Sequence, residues 1–300
     1  MFHGLTAFPL TPMNEHQINE REFVNIVERM VSAGVDSIGA LGSTGNYAYI
    51  SRSARLRVLQ LAVRSAESIP VMTSISAIRT AEVLQLAEDA QRAGARAVLL
   101  APVSYQTLTE EEVYSLYEHV TASISVPLCV YDNPSTSHFH FTDELHGRIA
   151  TLPHVHSIKI PGVPSDPEKA KERVNNLREL VPSHVTIGVS GDPFAITGLN
   201  AGCEVWYSVL GGLFPRLCLR ITRLTLEGRA AEADQYWSQL EPIWKLFRQY
   251  GSLRVTAAAA AIIGLTSSPG LLLPLQPLNS SAKELLESVL PKIKSLEESS

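Results

Sequence analysis

The sequence predicts an α/β protein with a closed (β/α)8 barrel and a C-terminal helical extension. Short β-branched or apolar runs alternate with longer amphipathic segments from the N-terminus to about residue 210. Such alternation is typical of parallel strands joined by crossover helices. Eight units in about 210 residues favour a closed barrel over an open doubly wound sheet. No Gly-x-Gly-x-x-Gly follows the first strand, which weakens the dinucleotide-binding alternative.

The predicted strands are short runs of apolar and β-branched residues: 4–8, 35–40, 70–75, 96–101, 127–131, 155–160, 184–189 and 203–207. The segments between them carry apolar residues at helical spacing, which predicts amphipathic helices at 20–33, 51–65, 80–93, 109–123 and 166–180. Ala-Gly pairs at 33–34, 93–94 and 201–202 each precede a strand. Glycine there fits the left-handed cap that ends a helix.

The barrel is expected to span residues 1–225, and residues 226–300 to form a helical extension packed on it. Helical segments are predicted at 214–226, 229–247, 252–263 and 282–296. Pro269 and Pro274 interrupt the helical pattern between the last two.

The composition indicates which partners and which cellular compartment to expect. The net charge is −5 and no dense run of lysine and arginine occurs, which argues against a nucleic-acid partner. Three widely spaced cysteines, without a Cys-x-x-Cys pair, favour a reducing compartment and no structural zinc. The N-terminus lacks a signal-peptide pattern, and the longest apolar run, near 257–263, is too short for a membrane span. We therefore expect a cytoplasmic protein with no membrane partner.

Lys159 is the residue that most strongly suggests catalysis. It is the first lysine of the chain, and it lies between Ile158 and Ile160 in the sixth predicted strand. An ammonium group is costly to bury without a partner, so a buried amine tends to lose its proton and become a nucleophile that can form a Schiff base with a carbonyl compound. The structural alternative is a strand-end lysine that extends its amine to solvent.

Other chemically useful residues follow neighbouring strands. The carboxyl ends of barrel strands meet on one face, where the active sites of such barrels are built. Gly42-Ser43-Thr44-Gly45 follows the second strand, Tyr105 the fourth, and Tyr131 ends the fifth. The amides of that turn could hold a carboxylate, while Ser43 and Tyr131 could move protons beside an amine.

The histidines do not form a metal site by spacing. No His-x-x-x-His or His-Asp pair is present, and no carboxylate-rich group accompanies them. His138 is the one histidine that we consider as a substrate contact. The sequence therefore predicts no metal.

With these residues in place, the chain resembles the dihydrodipicolinate synthase / N-acetylneuraminate lyase superfamily of Schiff-base-forming class I aldolases, which are TIM barrels. The resemblance spans roughly residues 3 to 295. It is carried by Gly42–Gly45, Tyr131-Asp132-Asn133-Pro134 and Ile158-Lys159, with support from Gly191-Asp192 and from 202–215.

The resemblance implies a role for each catalytic candidate. Lys159 would form the imine with pyruvate or a related 2-oxo acid, and Tyr131 would be the general acid/base beside it. Ser43 would relay protons. Tyr105 is similar to a tyrosine that in many relatives enters a neighbouring subunit's site. The resemblance also implies a cytoplasmic homo-oligomer, a tetramer or a dimer, that needs no cofactor.

Substrate-binding roles are implied in the same way. Thr44, with the adjacent amides of Gly42 and Gly45, would hold the carboxylate of the 2-oxo acid. Gly191 and Tyr207 would belong to the pocket that receives the substrate.

Two departures from the family pattern concern the substrate and the turn. Thr136 stands where dihydrodipicolinate synthases carry an arginine that grips the carboxylate of aspartate semialdehyde. Its absence should cost recognition of that carboxylate. The hydroxyls of 135–137, with His138, instead favour a polyol-like substrate. Asn46 replaces a glutamate that supports the Gly42–Gly45 turn in the family.

The expected function is a lyase, either an aldolase or a dehydratase, that acts on pyruvate or a related 2-oxo acid, with or without an aldehyde. One alternative is a true dihydrodipicolinate synthase that uses a carboxylate anchor from elsewhere in the chain. An alternative of another class is a non-catalytic sensor of 2-oxo acids. A metal-dependent aldolase is disfavoured by the lack of a ligand cluster.

Overall fold

Eight parallel strands close into a barrel in which every strand pairs with its neighbours in chain order and β1 pairs with β8. This computed structural model describes all 300 residues and confirms the predicted (β/α)8 barrel. The strands are β1 Gly4–Ala7, β2 Ser37–Ala40, β3 Val71–Ser74, β4 Ala97–Leu100, β5 Leu128–Tyr131, β6 Val155–Ile160, β7 Thr186–Val189 and β8 Val205–Ser208.

The helices that surround the barrel follow the predicted order. They are α1 Glu20–Ala33, α2 Arg52–Ser65, α3 Thr80–Arg92, α4 Glu110–Thr121, α5 Pro134–Ser137, α6 Asp143–Ala150, α7 Pro167–Leu180, α8 Ala195–Asn200 and α9 Pro215–Leu226. Local sequence explains their ends. Thr109 and Glu112 form a reciprocal capping box at the start of α4. Gly34 ends α1 in the left-handed conformation at φ 75°, as the Ala-Gly pattern predicts.

The C-terminal extension consists of α10 Ala230–Trp237, α11 Glu241–Tyr250, α12 Ser252–Ile262 and α13 Ser280–Glu298. The segment predicted as one helix at 229–247 is two helices, separated by a 3-10 turn at Ser238–Leu240. Pro242 lies at the start of α11, where proline is favoured because its ring tolerates only the first helical turn. None of the helices combines the length and apolar character that a bilayer span requires.

Two contacts fix the extension to the barrel. Trp206 of β8 packs edge-on against Trp237, with ring centroids 6.1 Å apart, and Trp237 lies 5.1 Å from Trp244. At the far end, the buried Glu297 of α13 accepts hydrogen bonds from the backbone amides of Arg216 (3.3 Å) and Leu217 (2.8 Å). A carboxylate there satisfies amides that the first turn of α9 leaves without partners. The extension therefore caps a barrel helix.

Replacing Glu297 by alanine should lower the free energy of unfolding by about 2 kcal/mol, because two helix amides lose their acceptor in a largely buried place. Urea unfolding followed by circular dichroism measures the change. Glu298→Ala is the matched control, since the adjacent Glu298 is exposed and has no partner. Equal losses in the two variants would contradict the capping role.

Candidate active site

A cavity of about 300 Å³ lies at the carboxyl ends of the strands and is closed on one side by the extension. This volume suits a small organic substrate. Six of the residues that the sequence nominates line it: Ser43, Thr44, Tyr131, Lys159, Gly191 and Tyr207. They come from five separate segments of the chain that only the closed barrel brings together.

The amine of Lys159 lies inside the barrel, since the residue is only 4% exposed. Its Nζ is 4.2 Å from the centroid of the Phe8 ring, 4.1 Å from that of Tyr131 and 5.5 Å from that of Tyr207. No carboxylate lies within 4 Å of it. The alternative of a lysine extended to solvent is therefore excluded. The amine is buried, without a carboxylate partner, and open to the cavity, as a carbonyl-attacking nucleophile requires.

The ring of Phe8 forms one wall of the aromatic enclosure around the Lys159 amine. The space that this ring needs explains why two neighbouring positions are glycine. A Cβ on Gly39 would come within 2.5 Å of the Phe8 ring, and so would a Cβ on Gly42. Gly42 therefore makes room for the ring that covers the amine, and it does not itself line the cavity. Sequence reasoning missed Phe8, although an aromatic residue directly after the first strand is a usable signal.

The hydroxyl of Tyr131 belongs to a chain of hydrogen bonds. Asn133 Nδ2 donates to Tyr131 Oη at 2.7 Å, and Ser135 Oγ donates to Asn133 Oδ1 at 2.6 Å. Because Tyr131 Oη accepts this bond, its own proton remains available to a substrate. Asn133 and Ser135 also line the cavity. Sequence reasoning quoted Asn133 as part of a motif but gave it no role.

The turn Ser43–Gly45 presents hydroxyls to the cavity as a 3-10 turn. Thr44 is buried, and its Oγ1 has no hydrogen-bond partner within the chain. A buried hydroxyl without a partner is unusual and fits a group that bonds to a ligand. Thr11 Oγ1 donates to the carbonyl of Gly45 at 2.8 Å and so holds the turn from outside the cavity.

Asn46 supports the same turn by another contact. It adopts a left-handed conformation at φ 61°, which asparagine tolerates better than most residues. Its Nδ2 donates to the carbonyl of Gly270 at 3.3 Å. The turn is thereby connected to the segment between α12 and α13. The side-chain amide of Asn46 therefore supports the turn from the side of the C-terminal extension.

Tyr207 forms the floor of the cavity. Its hydroxyl shares a hydrogen bond of 2.6 Å with Ser157 Oγ and accepts one of 3.4 Å from Cys129 Sγ. Burial raises the pKa of Tyr207 well above its usual value, so this tyrosine stays neutral. Gly188 lies beneath it, and a Cβ there would come within 2.3 Å of its ring.

Gly191 lines the cavity, and the next residue joins two loops. Asp192 accepts hydrogen bonds from Trp206 Nε1 (2.9 Å) and from the amides of Val209 (3.2 Å) and Leu210 (2.8 Å). Burial raises the pKa of the Asp192 carboxyl. The three N–H donors occupy both of its oxygens. Asp192 therefore positions the loops after β7 and β8.

The remaining nominated residues lie outside the cavity. Gly45 borders it without lining it, and Tyr105 projects from the loop after β4 with 89% of its surface exposed. Thr136 and His138 are exposed on α5 and its C-terminal cap. Thr136 Oγ1 donates back to the carbonyl of Asn133 at 3.3 Å, which turns it away from the cavity. A substrate contact for either residue stays a prediction.

A buried acid–base pair lies behind Tyr131. His146 Nε2 is 3.6 Å from Asp132 Oδ2, and the His146 ring stacks on Phe141 at 4.7 Å. Burial raises the pKa of the Asp132 carboxyl to about 7 and lowers that of His146 to about 3. Neither side chain lines the cavity. The pair supports the end of β5 from the helix side.

Known proteins are similar to this chain along its whole length. The model of the dihydrodipicolinate synthetase family matches residues 1–293. A 4-hydroxy-tetrahydrodipicolinate synthase of Phenylobacterium zucineum is 28% identical over 285 residues, which cover 94% of both chains. A crystal structure of dihydrodipicolinate synthase from Agrobacterium tumefaciens is 39% identical, covers 97% of this chain and 98% of its own, and has a TM-score of 0.94.

Asp132→Asn should become more stable relative to the native chain as pH rises. Folding raises the pKa of Asp132 from 3.8 to about 7, so its stabilising contribution is complete below pH 3.8 and is lost as pH rises through about 7. The asparagine has no such loss. The difference in the free energy of unfolding should shift in favour of the variant by up to ~4 kcal/mol across that range.

Urea unfolding at a series of pH values measures this difference. Asp234→Asn is the control, because Asp234 is exposed on α10, and its difference from the native chain should stay flat. A flat difference for Asp132→Asn as well would refute the assignment of a protonated carboxyl at neutral pH.

Proposed function

The chain belongs to the dihydrodipicolinate synthetase family of class I aldolase-type lyases, and we propose that it forms an imine between Lys159 Nζ and the carbonyl carbon of a 2-oxo acid. The observation that carries this proposal is the amine itself, which is 4% exposed, enclosed by three aromatic rings and free of any carboxylate. Pyruvate is the simplest 2-oxo acid that the cavity admits.

The surrounding residues suit each step of imine chemistry. Lys159 Nζ attacks C2 of the 2-oxo acid, and the resulting carbinolamine oxygen takes the proton of Tyr131 Oη and leaves as water. Thr44 Oγ1, which lacks a partner in the chain, donates to the substrate carboxylate. Ser43 then relays to the Tyr131 phenolate the proton that the iminium intermediate later releases, which restores both hydroxyls. The iminium then accepts the electron pair released when a proton leaves C3 or when the C3–C4 bond breaks.

Two substrate classes remain for the second half of the reaction. A 2-keto-3-deoxy sugar acid would be cleaved or dehydrated by this scheme, as the hydroxyls near α5 suggest. Condensation of pyruvate with aspartate semialdehyde is favoured by the names of the relatives, which are 4-hydroxy-tetrahydrodipicolinate synthases. Turnover of either class, measured by a substrate screen, would exclude a non-catalytic sensor, which would trap pyruvate without any turnover.

The scheme needs no cofactor, because the protonated imine is itself the electron sink. We also assign the protein to the cytoplasm. The three cysteines are unpaired and buried, as expected in a reducing compartment.

Borohydride reduction in the presence of pyruvate should attach a stable adduct to Lys159, because hydride reduces the imine to a secondary amine. Peptide mass spectrometry locates the adduct. Lys159→Arg should give none and should lose turnover, since a guanidinium forms no imine under these conditions. Lys169→Arg, in the first turn of α7, is the control. An adduct on another lysine, or full turnover in Lys159→Arg, would sink the imine mechanism.

We further propose that the protein is a homo-oligomer, a tetramer built from dimers or a dimer alone, in which Tyr105 enters the site of the adjacent subunit. A tyrosine that is 89% exposed on the active-site face offers a large ring with a polar tip, a combination that suits a protein contact.

Subunit mixing tests this arrangement. Tyr105→Phe and Lys159→Arg should each be severely impaired alone, but co-expression should restore activity in mixed dimers. Such a dimer holds one site of two with both native residues, so mixed dimers isolated through two different tags should show roughly half of native activity. Recovery is measured on co-purified chains carrying different tags. Failure to recover any activity would show that Tyr105 does not act across the interface.

A further inference from the structure

Besides Lys159, one cation lines the catalytic cavity, and it comes from the C-terminal extension. Arg248 lies in the last turn of α11 and borders the cavity together with Phe247 and with Ser252 of α12. α11 packs against the turn Asp192–Phe194, which carries other lining residues. The extension therefore contributes a charged group to the same space as the reactive amine.

The cavity has no free negative charge to balance Arg248. Asp192 is the only acidic residue that lines it. Its two oxygens already accept three N–H donors from Trp206, Val209 and Leu210. Once the 2-oxo acid is bound with its own carboxylate at Thr44, the guanidinium of Arg248 still lacks an anion within the cavity.

Arg248 keeps donors available for such an anion. Its Nη2 donates to Glu241 Oε1 at 2.5 Å, and both side chains of this pair are about half exposed. Exposed ion pairs of this kind are weak and readily exchanged. Nε and Nη1 of Arg248 make no hydrogen bond in the chain. A guanidinium edge that is open in this way matches a carboxylate in a two-point contact.

The segment after β5 offers no alternative cation. Thr136, where relatives of this family carry an arginine, is exposed and bonded back to Asn133. The residues of that segment that do line the cavity, Asn133 and Ser135, are neutral.

We propose that Arg248 binds the second carboxylate of the substrate and so makes the enzyme selective for compounds that carry two. The second carboxylate belongs to either an amino-acid semialdehyde or a dicarboxylic 2-oxo acid. This inference rests on the proposed function, because it assumes that the first carboxylate and the carbonyl occupy the site around Lys159. A polyol-like substrate with one carboxylate would make no use of Arg248.

The test compares selectivity among variants. kcat/KM is measured for pyruvate with aspartate semialdehyde, for cleavage of 4-hydroxy-2-oxoglutarate, and for a 2-keto-3-deoxy sugar acid with one carboxylate. Selectivity is the kcat/KM of the faster two-carboxylate reaction divided by the kcat/KM of the sugar acid. In Arg248→Gln this ratio should fall roughly 10- to 100-fold, mainly because KM for the two-carboxylate substrate rises. The arm that shows the fall identifies the source of the carboxylate.

Three variants complete the comparison. Arg248→Lys should recover part of the selectivity, and Glu241→Gln should lower KM for the two-carboxylate substrate because it removes the competing acceptor. Lys245→Gln, an exposed cation on the same helix outside the cavity, should leave the ratio unchanged. An unchanged ratio in Arg248→Gln, or a native enzyme that prefers the sugar acid, would overturn the inference.

Borohydride trapping separates this inference from the function on which it rests. If the native chain forms no adduct with pyruvate, the imine proposal fails. If it forms the adduct on Lys159 while Arg248→Gln keeps the native ratio, only the role of Arg248 fails.

Discussion

The burial of one amine without a carboxylate partner is the constraint on which the other features of the site depend. Lys159 is enclosed by Phe8, Tyr131 and Tyr207, and two of these rings, Phe8 and Tyr207, need space that the barrel provides through glycine. Gly39 and Gly42 admit Phe8, and Gly188 admits Tyr207. An aromatic face attracts a cation only weakly compared with a carboxylate. The enclosure can therefore hold the side chain in place without an ion pair.

The carboxyl groups near the amine are arranged to leave it unpaired. Asp192 reaches the cavity, but N–H donors from β8 and the loop after it occupy its oxygens. Asp132 follows Tyr131 directly, but the alternation of the strand turns it outward to His146. Both carboxyls thus serve as supports for strand ends. The nearest groups around Lys159 Nζ are therefore aromatic rings, and no carboxylate forms an ion pair with it.

The sequence was sufficient for the fold and for six of the residues that line the cavity, because both follow from local patterns. Strand and helix periodicity predicted the barrel, and the position of Lys159 in an apolar strand predicted its burial. Arg248 was missed because no local pattern marks it, and Phe8 was missed because its aromatic ring acquires its place beside Lys159 only when distant segments meet. Thr136 shows the opposite case. Its position in the motif nominated it for the pocket, whereas the bond to the carbonyl of Asn133 turns it outward.

The division of the cavity wall between barrel and extension has a consequence for how such enzymes diversify. The groups around the reacting carbon come from residues 8 to 207, whereas Phe247, Arg248 and Ser252 come from two consecutive helices that contain no part of the strand framework. Exchange of the ten-residue α11 would change which side chains line the mouth of the cavity, while the groups around Lys159 would keep their supports. If the proposed roles hold, reaction and selectivity are encoded in separable stretches of the polypeptide, and the two can change independently.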